Sequence, residues 1–471
     1  MLFIVLLYYR AMRWTFLLLQ LILINLFINI TMGEGKAEES FQRLCSTSPC
    51  KYPFVNDRDL NVKLLYQIDF KFKPNELSPG STMTFLGEDL LILDKNNGTV
   101  YRIKNGTMLD TPLLDVNVAN KRERGLLGIA NFRDNDSVDR VFLYFTETHQ
   151  NDGSDICHVT WYCEPSSNPV GNRVYKYELD KNRLVNPKLL IDLPAAPAPI
   201  HNGGVIKIGP DKNLYLVLGD LDGFVNKSSS TKAQNFKNGS SPDGRAGILR
   251  ITPDGDAVGN GILGNEYPLN LYYAYGIRNS FGLDFDPVTG NLWDTENGPE
   301  FGDEINLVNP GFNSGWMTIQ GIWKPIEPKD PNLDFVAGDK LQYPKDGANF
   351  GGKGKYSNPE FIWKETVGAT AIKFLNSDKL GKNYKNDLFV GSFKSGTIFH
   401  FDLNKDRTRL KLDGVLKDRI ADNREELENV TFSGGLGGIT DIKVGPDGYM
   451  YVLSNYMNKL TIFKIAPKDN M

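Results

Sequence analysis

A histidine next to two glycines has the surroundings of a catalytic residue. His201 is followed by Asn202-Gly203-Gly204 and then by a strand pattern that leads to Gly219-Asp220, and the chain holds 4 histidines in all. Imidazole exchanges a proton near neutral pH, so His201 is a candidate general base. The alternative is a structural His201 bonded to a loop carbonyl. The other three histidines, His400 among them, are interpreted as structural or surface residues.

An acidic segment further along the chain is a candidate metal site. From Asp294 to Asn306 it concentrates carboxylates with carbonyls that glycine and proline keep out of strand pairing. Such hard oxygen ligands suit calcium, although the spacing is not that of an EF-hand. A solvated acidic loop is the other interpretation, and the spacing alone leaves both open.

Two further segments carry polar residues among glycines. In Glu123 to Ala130, the Gly-Leu-Leu-Gly run is typical of a core strand with a bulge, whereas Glu123 could project into an interior channel. In Tyr275 to Gly282, Arg278 could direct a planar, bidentate donor at a carboxylate. Both signals are weak when each segment is taken alone.

Several function classes are excluded by missing motifs and by charge. The chain has no P-loop, no Gly-x-Ser-x-Gly elbow, no zinc His-Glu pair and no dinucleotide-binding glycine fingerprint. The formal net charge is -4, and the sequence contains no block of basic residues that would indicate binding to nucleic acid or a polybasic membrane patch. An ATP-dependent or nicotinamide-dependent enzyme is therefore not expected.

Short strands joined by tight turns must position these residues. Apolar runs such as Leu90 to Leu93 recur until Leu460 to Ile465, and turns such as Gly209-Pro210-Asp211-Lys212 separate them. No sustained 3.6-residue period follows the N-terminal segment, which disfavours a parallel α/β fold. About six repeating units predict an all-β, six-bladed β-propeller over residues 52–468. Its long loops, Asp222 to Arg245 and Trp323 to Tyr356, are expected to line the mouth of a central channel.

The N-terminal region indicates export. Arg10 and Arg13 precede an apolar run, so residues 1–32 are predicted to be a signal peptide or signal anchor and residues 33–51 a polar tether. We expect an extracytoplasmic protein, either secreted or held at the membrane by this segment alone. The chain has 4 cysteines in two close pairs, at 45 and 50 and at 157 and 163, which favour two disulfides of open connectivity over free thiols.

Taken in order, the four chemical segments resemble the soluble quinoprotein glucose dehydrogenase family, also called the glucose/sorbosone dehydrogenase family. The resemblance runs from Leu64 to Ile465 and is most specific from Tyr275 to Trp316, where the chain reads Pro310-Gly311-Phe312-Asn313-Ser314-Gly315-Trp316. It implies a six-bladed propeller that binds pyrroloquinoline quinone (PQQ) and calcium. It also implies oxidation of the anomeric hydroxyl of an aldose or related sugar to a lactone, with an electron acceptor that the sequence does not identify.

The resemblance implies a role for each matching residue of the organic site. His201 matches the base that removes the sugar hydroxyl proton. Residues expected to contact the quinone are Glu123, Arg278, Asn279 and Lys394.

It also implies calcium ligands in the acidic segment. Gly298 and Pro299 match carbonyl ligands of a calcium ion, and Asp303 is the nearby acidic residue of that motif. Glu304 and the carbonyl of Ser314 resemble a further, structural calcium site.

The chain departs from the family pattern before its last predicted blade. Two arginines for the quinone carboxylates are expected near Gly438 and Thr440, but the chain reads Gly435 to Asp441 without either. A non-catalytic, calcium-containing binding propeller is therefore an alternative function. A calcium-dependent lactonase is another, and hydrolysis without a redox dye would distinguish it.

Overall fold

β-Branched and aromatic residues build this fold from short, mostly antiparallel strands. The computed structural model describes residues 52–68, 80–133, 138–148, 169–221, 230–326, 336–340, 348–457 and 459–470. The predicted signal or anchor, the tether and all four cysteines lie outside these ranges. Within them, no helix has the length and apolar character needed to cross a membrane.

The strands of the first part of the chain alternate with tight turns. They are β1 (Phe54–Val55), β2 (Leu60–Ile68), β3 (Gly80–Leu86), β4 (Asp89–Asp94), β5 (Thr99–Lys104), β6 (Thr107–Met108), β7 (Leu114–Asp115), β8 (Leu126–Arg133), β9 (Asp139–Thr148), β10 (Pro169–Asp180), β11 (Arg183–Leu193), β12 (Ile206–Ile208), β13 (Leu214–Leu218), β14 (Gly247–Ile251) and β15 (Tyr272–Tyr275).

The later strands continue the pattern. They are β16 (Ser280–Phe285), β17 (Leu292–Glu296), β18 (Phe301–Val308), β19 (Phe312–Asn313), β20 (Trp323–Ile326), β21 (Val336–Lys340), β22 (Lys355–Tyr356), β23 (Phe361–Glu365), β24 (Ala369–Phe374), β25 (Leu388–Ser392), β26 (Ile398–Phe401), β27 (Ile420–Ala421), β28 (Thr431–Gly434), β29 (Gly438–Val444), β30 (Met450–Tyr456) and β31 (Lys459–Pro467). Short 3₁₀ turns occupy Lys232–Gln234, Leu269–Leu271, Lys382–Tyr384, Gly414–Asp418, Glu425–Val430 and Lys468–Asn470.

In the described ranges the strands form six sheets of four to six strands and one two-stranded sheet, β20-β21. Sheet 1 is β3-β4-β5-β6, with β7 paired to β5, and sheet 2 is β8-β9-β10-β11. Sheet 3 is β12-β13-β14-β15-β19-β22, and sheet 4 is β16-β17-β18-β23-β27. Sheet 5 is β24-β25-β26-β28-β1, and sheet 6 is β29-β30-β31-β2.

The first strands of the six sheets meet around a central axis. Strand β3 contacts β8, β8 contacts β12, β12 contacts β16, β16 contacts β24, β24 contacts β29, and β29 returns to β3. Sheet 6 joins the two ends of this unit, because β2 pairs with β31 from Leu60 opposite Pro467 to Ile68 opposite Leu460. The fold is therefore an all-β propeller, as the sequence predicts.

Apolar side chains from neighbouring sheets pack together to hold the inner strands in place. Between sheets 2 and 3, Phe142 and Tyr144 pack with Leu214 and Leu216. Between sheets 4 and 5, large rings such as that of Trp363 are almost fully buried. Each fully buried large apolar side chain contributes about 1.5–3 kcal/mol, so these layers give the channel a stiff wall.

The predicted strands and the predicted bulge are confirmed. Leu90–Leu93 lies in β4 and Leu460–Ile465 in β31. Strand β8 shifts register between Leu126 and Gly128, which is the bulge expected for the Gly-Leu-Leu-Gly run. The prediction of one long loop from Trp323 to Tyr356 is wrong in part, because that segment contains β20, β21 and β22.

Candidate active site

A cavity of about 470 Å³ runs between the inner strands. Each of the six sheets contributes to its wall, for example through Thr82, Ile129, Lys207, Leu283, Ile372 and Lys443. Glu123, Asn279 and Asn297 also line it, and Glu123 and Asn279 accept the backbone N–H groups of His201 and Gly203. Two of the residues predicted from the sequence therefore line this cavity and hold the segment that carries His201.

His201 is held by two carboxylates. Its Nδ1 lies 2.5 Å from Oδ1 of Asp220, and its backbone N–H donates to Oε2 of Glu123 at 2.5 Å. The imidazole is largely buried, and the residue adopts a left-handed φ of 57°. That conformation is uncommon outside glycine and persists only where surrounding contacts enforce it. Because Nδ1 is engaged by Asp220, Nε2 is the nitrogen available for a substrate.

Asp220 is the residue that orients the histidine. It is fully buried, and its Oδ2 accepts a hydrogen bond from Trp316 Nε1 at 2.7 Å. Burial alone would raise the pKa of Asp220, but the charges of His201 and Arg278 and the hydrogen bonds from His201 and Trp316 lower it overall. Asp220 therefore stays a charged carboxylate beside Nδ1 of His201.

Hairpin geometry explains why these two residues meet. Strands β12 and β13 pair Ile206 with Leu216 and Ile208 with Leu214 around the predicted Pro-Asp turn. Just outside these pairs, Val217 accepts the Gly204 N–H and donates to the Val205 carbonyl, so the register shifts by one residue and His201 comes beside Asp220. A Cβ at Gly219 would lie 2.5 Å from the His201 carbonyl oxygen, so this approach requires glycine. Asp220 received no role from the sequence, because the register shift that brings it to His201 cannot be read from the turn.

Arg278 and Asn279 lie against the histidine loop. The Asn279 Oδ1 accepts the Gly203 N–H at 3.2 Å, and the Arg278 guanidinium donates to the Asn297 carbonyl at 2.9 Å. The guanidinium carbon lies 5.4 Å from the Trp316 ring centroid, which is cation–π distance. The Nε of Arg278 has no hydrogen-bond partner among the described residues. A buried donor of this kind needs an acceptor, which a ligand can supply.

Asp303 organises the predicted calcium loop. Its Oδ1 accepts the Gly298 N–H at 2.9 Å, and its Oδ2 accepts the N–H groups of Val367, Gly368 and Ala369 at 2.8, 2.7 and 3.3 Å. Four backbone donors therefore hold this buried carboxylate in place. Its geometry favours a role in shaping the loop, whereas the carbonyls of the loop stay candidates for ligation.

Lys394 joins the same group of loops. Its backbone N–H donates to the Val367 carbonyl at 3.1 Å, and its Nζ donates to Thr366 Oγ1. The ammonium is exposed, and its charge lowers the pKa of Asp303, although burial raises that pKa overall. The structure thus places Lys394 and Asp303 in one neighbourhood.

Glu304 and Ser314 meet in a buried acidic cluster. The Ser314 hydroxyl donates to Oε2 of Glu296 at 2.6 Å and contacts Oε2 of Glu304 at 3.4 Å. Burial raises the pKa of Glu304 to about 8 and that of Asp294 to about 7. Burial and the charge of Glu304 also raise the pKa of Glu296 well above its usual range. Sequence reasoning found this segment but did not single out Glu296, because burial was not readable from its spacing.

The comparison with known proteins identifies the family of this chain. The profile of the glucose/sorbosone dehydrogenase family matches residues 77–461. The chain belongs to this family. It is 31% identical over 336 residues to quinoprotein glucose dehydrogenase B of Acinetobacter calcoaceticus, covering 60% of this chain and 65% of that protein. It is 29% identical over 273 residues to aldose sugar dehydrogenase YliI of Escherichia coli K12, covering 57% of this chain and 61% of that protein.

The chain thus spans less than two thirds of the length of either relative. Its fold is similar to that of the solved PQQ-bound aldose sugar dehydrogenase from Streptomyces coelicolor, with a TM-score of 0.56 and 21% identity. That similarity covers 88% of this chain and all of the Streptomyces protein, 100%.

In this member of the family, an aromatic ring fills the place beside two positions at which arginines were expected. Gly438 and Thr440 stand where the resemblance led us to expect arginines. A Cβ on Gly438 would lie 2.8 Å from the ring of Phe393, which lines the cavity. A side chain larger than that of glycine does not fit at position 438 unless this ring moves. Position 438 therefore packs against an aromatic ring where the resemblance led us to expect a cationic side chain.

Charged side chains from several sheets also lie at the channel of this family member. Asp284 accepts hydrogen bonds from Lys373 Nζ at 2.7 Å and from Lys207 Nζ at 3.4 Å. Burial alone would raise the pKa of Asp284, but the two lysines outweigh it and bring that pKa to about 2. Next to them, Lys443 Nζ lies 2.5 Å from Asp441 Oδ1. Asp284 and its two lysines thus connect sheets 3, 4 and 5, whereas the Lys443–Asp441 pair lies within strand β29 of sheet 6.

Proposed function

We propose that this chain is a PQQ-dependent dehydrogenase that oxidises the anomeric hydroxyl of an aldose or related sugar to a lactone. The observation that carries the proposal is the His201–Asp220 pair, 2.5 Å apart and next to the lining of the channel cavity. Family membership supports the reaction class, because two relatives are named as an aldose sugar dehydrogenase and a quinoprotein glucose dehydrogenase.

His201 is proposed to act as the general base. Asp220 holds Nδ1–H, so Nε2 accepts the proton of the sugar hydroxyl as the C–H bond is broken. The Asp220 carboxylate stabilises the imidazolium that forms, and Trp316 keeps that carboxylate in place from its other oxygen. Both groups are buried, which strengthens this interaction relative to the same pair in water.

The residues at this end of the channel fit a quinone with oxygen acceptors. Arg278 has a buried Nε without a hydrogen-bond partner in the described part of the chain, and Asn279 lines the cavity. Glu123 and Lys394 complete the proposed contacts from neighbouring loops. When bound, PQQ would supply a hydride acceptor, and calcium would supply a Lewis acid next to it.

The acidic segment fits calcium. Asp303 holds the Gly298 and Pro299 loop through backbone hydrogen bonds, and the carbonyls of that loop are the proposed ligands. Glu304 and Ser314 are proposed to hold a second, structural calcium. Burial raises the pKa values of the carboxylates around them, and no described residue gives them the compensating positive charge that such an ion would provide.

Two finer features belong to the same proposal. We propose that each of the six larger sheets is one blade, because their first strands contact one another in a closed ring. We also propose that the protein works outside the cytoplasm, either secreted or anchored by residues 1–32, because positive charges precede an apolar run there.

A non-catalytic binding propeller is the second candidate. It is favoured by Phe393, whose ring fills the place of an expected arginine beside Gly438 and so weakens recognition of a quinone carboxylate. Retention of His201 and of its buried partner Asp220 argues for the enzyme instead.

Reconstitution tests the proposed function. The full-length protein is titrated with PQQ in the presence of calcium, binding is followed by fluorescence, and reduction of a redox dye is measured across a panel of aldoses. Saturable binding that a chelator abolishes, together with dye reduction, supports the enzyme. Calcium binding without PQQ binding supports the binding propeller, and hydrolysis of lactones without dye reduction would indicate the lactonase.

A further inference from the structure

A histidine and two aspartates converge at the outer part of sheet 5, away from the residues assigned above. Strands β25 and β26 pair Phe389 with His400 and Leu388 with Phe401. Asp387 directly precedes β25, and Asp402 directly follows β26. Because side chains alternate along a strand, Asp387, His400 and Asp402 project from the same face at the open end of this hairpin.

Their donor atoms are close enough to share one ion. His400 Nε2 lies 2.9 Å from Asp387 Oδ2 and 4.0 Å from Asp402 Oδ1. One ligand atom from each of the three residues lies within 4.8 Å of the others. Two ligands of a tetrahedral zinc ion with bonds of about 2.0 Å stand roughly 3.3 Å apart, a value between the two measured distances.

Aromatic contacts fix the direction of the imidazole. The His400 ring stacks on Phe389 at a centroid distance of 4.9 Å and meets Tyr384 edge-on at 5.2 Å. Tyr384 is itself held by a 2.7 Å hydrogen bond from its hydroxyl to Asp57. A ring with a fixed orientation loses little entropy when it binds an ion.

Asp387 and Asp402 bring two carboxylates to one imidazole nitrogen. The Asp402 side chain is 45% exposed, so solvent can reach this side of the cluster. Lys411 Nζ lies 3.2 Å from Oδ2 of Asp402, so this ammonium would compete with a bound ion for the Asp402 carboxylate.

We propose that Asp387, His400 and Asp402 bind a divalent ion of the zinc type, with water completing the coordination. One imidazole nitrogen and two carboxylate oxygens suit zinc, whereas calcium takes oxygen ligands alone. This site is distinct from the proposed calcium region of residues 294–314 and does not depend on the proposed dehydrogenase activity. His400 was interpreted from the sequence as structural or surface, because Asp387 becomes its neighbour only when the hairpin forms.

Calorimetric titration with zinc chloride tests the site. The full-length protein is used with excess calcium chloride, which occupies oxygen-only sites, and each variant is compared with the wild type. His400→Gln and Asp402→Asn each remove a ligand and should weaken zinc binding by at least about tenfold, since even changes beyond the direct ligands cost that much. Lys411→Gln removes the competing ammonium and should tighten zinc binding.

Asp406→Asn is the matched control, since it removes the same charge from an exposed loop and should leave zinc affinity unchanged. Asp402 is itself half-exposed, so Asp402→Asn should fold even if His400→Gln does not. Equal zinc affinity in the wild type and Asp402→Asn would overturn the proposal, and so would the absence of saturable zinc binding to the wild type.

Discussion

Replacing Asp220 with asparagine keeps the shape of the side chain but removes the charge that faces His201. The amide oxygen of the introduced asparagine can still accept from Trp316, so its NH₂ group would face Nδ1 of the imidazole. Nδ1 would then act as an acceptor and the proton would move to Nε2. An imidazole in that tautomer cannot take a proton from the substrate.

The size of the effect follows from the contact that is lost. A hydrogen bond to a charged group contributes about 1.5–3 kcal/mol, which corresponds to a fall in kcat of roughly 10- to 150-fold. The tautomer change adds to this and can bring the loss to about 10⁴-fold, as in hydrolases with an Asp–His pair. The affinity for PQQ should change little, because Asp220 lies behind the histidine.

The assay is dye reduction at saturating sugar by the protein reconstituted with PQQ and calcium, with thermal unfolding as the test of folding. Asp211→Asn is the matched control. Asp211 lies in the exposed turn between β12 and β13, so its substitution should leave kcat unchanged. A folded Asp220→Asn variant with kcat within about twofold of the wild type would refute the role given to this pair.

Three further predictions concern packing and charge. Gly219→Ala should lower kcat, because the new Cβ would lie 2.5 Å from the His201 carbonyl oxygen; an unchanged kcat would show that the loop can relax. Asp284→Asn should lower the free energy of unfolding by about 2 kcal/mol at pH 7. The reason is that a folded pKa of about 2, below the unfolded value of about 3.9, stabilises the fold above pH 4. Denaturant titrations should show this difference shrinking as the pH falls toward 2, and a difference that is independent of pH would contradict the charge argument. Gly438→Arg alone should lower the melting temperature because of the clash with Phe393, whereas Gly438→Arg with Phe393→Ala should tighten PQQ binding in fluorescence titrations. Equal PQQ affinity in the double variant and the wild type would show that this place does not contact the cofactor.

Local patterns predicted the strands because strand propensity and turn chemistry act over a few residues. The Pro-Asp turn between β12 and β13 and the bulge at Leu126 were both readable in this way. The pairing of β2 with β31 was not, since it joins residues about four hundred positions apart and leaves no local signal.

The candidate site was predictable to the extent that it lies in short segments. His201 and Arg278 were found from their sequence neighbours and Asn279 from the family resemblance, and the three meet in the structure. Asp220 and Glu296 gain importance only through burial and through partners on other strands, which the sequence spacing does not encode. Phe393 is a similar case, because its contact with Gly438 crosses from sheet 5 to sheet 6.

The most direct test of the central proposal compares wild-type protein and His201→Ala, both loaded with PQQ and calcium. We expect the wild type to reduce the dye with at least one aldose, and the variant to bind PQQ equally well but to turn over about 10²–10⁴ times more slowly. Equal turnover by the two proteins would remove His201 from the mechanism. A wild type that binds no PQQ at micromolar concentration would contradict the dehydrogenase function itself.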